Sequence, residues 1–314
     1  HDQSSAASDV YKRQAWAGLD DPVIEIAITP NRADCLGVRG VARDLAAAGY
    51  GTLKPLDTSA HEGSFDSPVT WRLDLDDAEH LAPLITGIAF RGVTNGPCPD
   101  WMARRLNAIG QRPISALVDI TNYVMFDLGR PLHAYDIDKI HGSELIVRQA
   151  DGGEPFAALN EKTYEMEAGM ITIGDAEGVD DLAGVMGGER TGVSDGTTGM
   201  FLEIAVFDPI SVATTGRKLN LNSDARYRFE RGLDSESPVW AAGHIARMVT
   251  EICGGEASVP VTMGPGVDWK RSIFLGSGKV ESLTGMQIDT AEQQRILEAL
   301  GFTVTAADGG FDVA

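Results

Sequence analysis

Residues 117–140, LVDITNYVMFDLGRPLHAYDIDKI, are the densest cluster of polar side chains in an apolar setting. Within it, Asn122 and His133 are of types that together can orient a water or a ribose hydroxyl. A histidine beside a turn also serves as an ordinary surface or hydrogen-bonded structural residue, and the residues alone leave both readings open. Asp119, Asp136 and Asp138 have the placement of caps or turn residues and make no recognisable metal motif. Glu203 interrupts the apolar run of residues 200–207, MFLEIAVF. In a buried strand an ionised carboxylate is costly unless it is hydrogen-bonded. Glu203 therefore either points to solvent from a one-faced strand or stands as an acceptor for a ligand's donor. Gly184, Gly187, Gly188 and Gly192 sit in LAGVMGGERTGVSDGTTG, where no GK[ST] follows and no GxGxxG turn is formed. Such glycines allow a ligand close to the backbone, and they equally serve any tight turn.

Other chemistries lack their residues. There is no HExxH, no kinase signature, and neither the HIGH nor the KMSKS pattern of class-I synthetases. Cys253 closes an apolar helix beside Val249 and Ile252, which favours packing over nucleophilic work. The three cysteines, Cys35, Cys98 and Cys253, are odd in number and far apart, as expected of reduced thiols in a cytosolic protein. The sequence shows no apolar run long enough to span a bilayer and no secretory signal pattern. With 26 basic and 46 acidic residues, the net charge is −20. An acidic surface repels RNA, so any contact with phosphates needs a local basic patch, a partner or another region. Arg217, Lys218, Arg226, Arg228 and Arg231 form one candidate patch; the alternative is a solvated face balanced by Asp224, Glu230 and Asp234.

These residues must be held by elements whose patterns are legible. At 314 residues the chain has room for two or three domains. Residues 1–14 are polar and aperiodic, and 1–19 read as a foreign or disordered leader. Ile24, Ile26 and Ile28 alternate as in a half-buried strand ended by Pro30, and Asp34 is placed to cap a helix running toward Gly49 and Gly51. Pro, Ser, Asp, Gly and His dominate residues 53–68, the composition of a linker. Strands are expected at 84–93, 144–150 and 200–207, with strand, turn and strand over 164–178. A helix at 99–111 would turn Trp101, Leu106 and Ile109 inward, and a long amphipathic helix from 237 stops at Gly254 and Gly255. Thr290 to Gln293 has the form of a capping box, followed by a hairpin turning at DGG.

Taken together, the segments ITPNRADCLGVRGVARDLAA (28–47), VDITNYVMFDLGRPLHAYDIDKI (118–140), GVMGGERTGV (184–193), LEIAVFDP (202–209) and ERGLD (230–234) resemble the bacterial phenylalanyl-tRNA synthetase β subunit. Ala33 and Gly37 are small departures. The resemblance implies a multidomain chain of the α+β and α/β classes. Residues 20–58 would be part of the first β-subunit domain, 59–79 a linker, 80–260 a three-layer α/β editing module, and 268–314 the start of a winged-helix-like domain. It further implies an α2β2 assembly with the α subunit, tRNA(Phe) as a partner, no need of DNA or membrane, and a cytoplasmic location. ATP and magnesium would serve the whole enzyme, with no cofactor and no metal held by this segment.

Carried over by resemblance, the editing site maps to Asn122, His133, Gly184, Glu203, Ser223 and Ala225. Glu203 would accept a hydrogen bond from the hydroxyl of a misattached tyrosine beside the Gly184 backbone. Ala225 would shape the ring pocket, and Ser223 stands where the family often has threonine. His133 and Asn122 would hold the terminal adenosine and help place the attacking water. The rival expectation is a non-catalytic module that binds tRNA or scaffolds the α subunit.

Overall fold

The computed structural model describes residues 22–314, so the leader expected over 1–19 lies outside the described residues. Residues 23–30 do not form the expected strand: Ile24 and Ile26 are 78% and 51% exposed. A strand needs a neighbour for its backbone groups, and no described strand pairs with this one. Helix α1 spans Val38–Ala47 with Gly37 at its N-cap. Asp34 does not cap it; its carboxylate is held instead by Arg32 and Arg43. The linker composition also misleads at its end, because Thr70–Asp74 forms strand β1, with Trp71 only 3% exposed. The residues before it are tied down as well: the Ser64 N–H donates to Ala257 O and the Val259 N–H to Phe65 O.

An apolar run without alternation belongs to a strand covered on both faces. Strand β2 is Leu84–Arg91, β3 is His133–Asp136, and β10 is Gly199–Val206. β10 lies between β2 and β3, antiparallel to both. The short strands β11 (Glu256–Ala257) and β12 (Val261–Met263) pair with the far edge of β2. One face of this sheet presents Ile88, Phe90, Met200, Leu202 and Ile204 to a helical layer. That layer comprises α2 (Asp100–Ala108), α3 (Ala116–Leu128) and the later helix α6 (Ser237–Cys253). The other face presents Ile85, Ala89, Tyr135, Phe201 and Ala205 to a second sheet. Period two puts Glu203 and His133 on this second face, directly opposite one another in register.

The second sheet has the order β1, β4 (Glu144–Gln149), β7 (Ile171–Gly174), β8 (Val179–Leu182) and β9 (Met186–Gly187). β1 runs parallel to β4 and the remaining pairs are antiparallel. β5 (Pro155–Ala158) and β6 (Lys162–Glu165) form a separate hairpin. Helices over two stacked sheets make the three layers that the resemblance implied. Beyond β10, α4 spans Pro209–Lys218 and the short α5 spans Asp224–Phe229.

Two local readings differ. In α2 the buried stripe is Met102 and Leu106, four residues apart, while Trp101 and Ile109 are 39% and 45% exposed. At the carboxy-terminal end, α7 (Lys279–Thr284) and α8 (Thr290–Ala299) accompany a sheet of order β13 (Ile273–Gly276), β15 (Gly310–Val313) and β14 (Val304–Ala307), with α8 against β14. Asp289, not Thr290, is the N-cap of α8. The buried Gln293 amide donates to Ile288 O at 2.7 Å, so the reciprocal bonds of a capping box do not form.

Because Trp71 packs on Phe201 with ring centroids 5.1 Å apart, β1 is part of the sheet core. Trp71→Ala should cost about 3–5 kcal/mol, read as a shift in the urea midpoint at constant slope. A chain begun at residue 80 should fail to give a cooperative transition where one begun at residue 60 succeeds. Equal melts for the two would return residues 70–79 to the status of a linker.

Candidate functional site

Asn122, His133, Gly184, Glu203, Ser223 and Ala225 all line one cavity of about 290 Å³. They come from α3, β3, the turn between β8 and β9, β10, and the start of α5. Asn122 projects from the helical layer, and its amide makes no hydrogen bond to any described residue. Gly184 is in the left-handed region at φ +70°, and an added Cβ would press on Phe207, Val212 and Phe229 at 3.0–3.2 Å. At Gly187 a Cβ would come within 2.2 Å of His133 Cε1, so the imidazole edge rests directly on that backbone. The glycines thus serve a turn and a close approach at once, the approach being to a protein side chain.

Ser223 has a structural task. Its hydroxyl accepts from the Arg226 N–H at 3.0 Å, capping α5, and donates to Val185 O at 2.6 Å, which fastens α5 to the glycine-rich turn. Ala225 is half-buried against the inter-sheet core, leaving room where a larger side chain would fill the cavity.

Glu203 is 5% exposed. Its Oε2 accepts the Tyr135 hydroxyl at 2.7 Å, while no described residue bonds to Oε1. The solvent-facing reading is therefore excluded: the carboxyl lies between the sheets at the cavity wall. Burial pushes it up to about 7, although the Tyr135 hydrogen bond and the Arg130 charge both favour the ionised form. Arg130 is 2% exposed and donates to Ser237 Oγ at 2.7 Å and to Ala205 O. Burial lowers its guanidinium to about 10, so it remains a cation at neutral pH.

Asp181, Tyr135 and Arg130 belong to this site and were not singled out from the sequence. Asp181 is 5% exposed and lines the cavity. Burial raises its carboxyl well above the usual range, and the charges of Glu203 and Asp180 raise it further. The signal was there: Asp180 and Asp181 lead straight into the apolar LAGV, an oddity of the same kind as Glu203. His133, 3.8 Å from Asp181 Oδ2 through Nδ1, is lowered to about 4 by burial and is neutral at pH 7.

Elsewhere the residues are less eloquent. The GVSDG string at 192–196 has the spacing of a nucleophile elbow, yet it lies in a loop before β10, and the Ser194 hydroxyl faces Thr197 Oγ1 at 3.5 Å. In the basic patch, Lys218 pairs with Glu167, Arg226 and Arg231 with Glu230, and Arg228 with Asp224. Arg217 alone of the five has no acidic partner among the described residues. Asp34, Cys35 and Asp44 lie close enough to share an ion, but Arg32 and Arg43 already neutralise both carboxylates. Among the described residues, no helix is long and apolar enough to cross a membrane.

The buried carboxyls make stability depend on pH with a definite sign. Glu203 is raised above its unfolded value of 4.5 to about 7, so the folded state holds its proton where the unfolded chain has lost it. That advantage is complete below about pH 4.5 and disappears as pH rises through about 7, a contribution of about 3 kcal/mol. Glu203→Gln removes the ionisation and keeps an acceptor for Tyr135. The variant should therefore gain on the parent between about pH 5 and about pH 8, measured as the change in chemical-denaturation midpoint. A difference independent of pH would show that Glu203 does not titrate in this window.

Residues 81–254 match the B3/4 domain family. The chain is 50% identical over 291 residues to the phenylalanine–tRNA ligase beta subunit of Paramagnetospirillum magneticum, covering 92% of this chain and 36% of that one. With the corresponding subunit of Ruegeria pomeroyi it shares 50% identity over 282 residues, covering 90% and 35%. Among solved structures, an N-terminal fragment of the phenylalanyl-tRNA synthetase beta-subunit from Pyrococcus horikoshii aligns with a TM-score of 0.41 at 16% identity, covering 97% of this chain and 87% of that one. The chain spans little more than a third of the length of the curated relatives it matches. It belongs to the B3/4 domain family, in the form that phenylalanine–tRNA ligase beta subunits carry.

Proposed function

We propose that the cavity is an editing site that hydrolyses tyrosine misattached to tRNA(Phe), within the beta subunit of a phenylalanine–tRNA ligase. The observation that carries this reading is the Glu203 carboxyl, with one oxygen held by Tyr135 and the other unpartnered at the cavity wall. A synthetic pocket that selects phenylalanine by shape rejects a ring with one extra hydroxyl only by roughly 100-fold. A second pocket with a buried acceptor sorts the other way. Tyrosine satisfies Glu203 Oε1, and phenylalanine leaves it unpaired at a cost of about 1–3 kcal/mol.

Hydrolysis of an ester at this site requires a placed water and stabilisation of the developing oxyanion, with no covalent enzyme intermediate. Asn122 and His133, from different layers of the fold, are the groups with unused polar atoms suited to the terminal adenosine and that water. In this reading the α subunit carries aminoacylation with ATP and magnesium, tRNA(Phe) is shared, and the assembly is an α2β2 enzyme of the cytoplasm.

Glu203→Ala in the full-length subunit, assembled with its α partner, should lower kcat/KM for deacylation of preformed Tyr-tRNA(Phe) by about 5- to 150-fold, the equivalent of about 1–3 kcal/mol. His133→Ala should lower it too, and neither should affect aminoacylation with phenylalanine. If both variants hydrolyse Tyr-tRNA(Phe) as fast as the parent, the cavity is no editing site and the scaffolding role takes its place.

A further inference from the structure

The carboxyl of Asp181 borders the cavity with its side chain only 7% exposed, and no hydrogen bond reaches it from any described residue. The nearby cations are engaged elsewhere. Arg190 bridges Asp175 and Asp180 at 2.6 and 2.5 Å, and Arg130 donates to Ser237 and Ala205. The acidic groups around Asp181 are Asp180 on its own strand and Glu203 on β10; Asp224 at the α5 rim is turned to Arg228 at 3.5 Å. On β3, the Tyr135 hydroxyl already donates to Glu203. Burial among like charges and away from any cation favours the neutral form of the acid, and a neutral carboxylic acid is a hydrogen-bond donor.

The group facing it is His133. Nδ1 lies 3.8 Å from Asp181 Oδ2, while Nε2 is buried with no partner among the described residues. The ring cannot turn freely: its Nδ1 edge rests on the Gly187 backbone, and it stands edge-on to Tyr135 with centroids 4.5 Å apart. Catalytic hydrogen bonds commonly tighten once a ligand is bound.

We propose that Asp181 is a positioning residue for His133: its acid O–H donates to Nδ1, which places the ring proton on Nε2 and presents Nε2–H as the donor for a ligand oxygen. No proton is transferred in the resting pair, since the acid keeps its hydrogen and the imidazole stays neutral. Under the editing reading, on which this assignment of the ligand rests, that oxygen is the ester carbonyl or the terminal ribose. His133 then stabilises developing negative charge and is not the base that activates water.

The test is the tautomer of His133 in the full chain labelled with ¹⁵N-histidine, assigned by the signal missing from His133→Gln. The expected result is protonated Nε2 in the parent and in Asp181→Asn, whose amide N–H replaces the acid O–H. Asp181→Leu should shift the ring toward a mixture. Deacylation of Tyr-tRNA(Phe) by the assembled enzyme should fall about 10- to 100-fold in Asp181→Leu, in kcat more than in KM. In the parent it should decline as rising pH ionises Asp181, and in Asp181→Asn that decline should vanish. Protonated Nδ1 in the parent, or an unchanged ring signal in Asp181→Leu, overturns the proposal. The spectrum needs no tRNA, so an Nε2–H tautomer in a chain that hydrolyses nothing removes the editing reading and leaves the positioning role standing.

Discussion

A carboxyl in the middle of a strand buried on both faces is the constraint around which the rest of this molecule is arranged. Glu203 sits at the centre of β10, flanked by β2 and β3 and roofed by a second sheet, and it has no direct ion-pair partner among the described residues. Leaving such a group unsatisfied would cost a large fraction of a domain's stability. Compensation comes in two parts. Tyr135, on the neighbouring strand and the same face, supplies a hydroxyl. Arg130, just beyond the Gly129 cap of α3, supplies a buried positive charge near enough to favour the ionised form. The arginine is held by the start of α6, by the β10 backbone and by the face of Phe229 at 5.3 Å. The cation that stabilises Glu203 therefore also joins the helical layer, the central sheet and α5.

The same economy governs the glycine-rich turn. Gly184 takes a backbone conformation that other residues avoid, and Gly187 leaves space for an imidazole edge. Ser223 then fastens α5 to this turn through Val185. Five elements far apart in sequence become one wall, and lining residues such as Ser223 and His133 themselves make the contacts that hold it. Behind the wall, Arg190 neutralises Asp175 and Asp180 and leaves Asp181 without a cation. A pocket whose acids were all paired would be merely polar; this one retains acids with unspent hydrogen-bonding capacity.

Much of this was legible in the residues. Strands β2, β4 and β10 and helix α6 follow from apolar pattern and glycine stops, because a covered strand or an amphipathic helix leaves its period in the sequence. Glu203 was visible as an anomaly for the same reason. The misreadings share one physical cause: local pattern does not say which neighbour is present. Ile24, Ile26 and Ile28 alternate as a strand does, but no described strand lies beside them. Asp34 has the type and place of a cap, yet two arginines outbid the helix terminus for its carboxylate. Residues 70–74 follow a polar stretch and still enter a sheet, since β1 pairs with a strand some seventy positions on. Arg130 looks ordinary in its own segment, and Asp181 is marked only by the apolar LAGV that follows it; the tertiary fold is what brings both to Glu203.

Charge on the larger scale fits the division of labour within the pocket. The chain carries a net charge of −20, and four of the five basic residues of the patch at 217–231 are spent on acids of their own fold. Among the described residues, no lysine or arginine lines the cavity. Phosphates would find no counter-charge there, and an acidic surface opposes their approach. A neutral or cationic group meets the opposite situation, with two carboxyls, two amides and an imidazole offering unused polar atoms. The aminoacyl end of a charged tRNA, with its ammonium, its ester and a phenolic hydroxyl, is of that second kind. Under the proposed editing function the cavity's lining suits the amino acid and its ester, and the grip on the nucleic-acid backbone falls to surfaces other than this cavity.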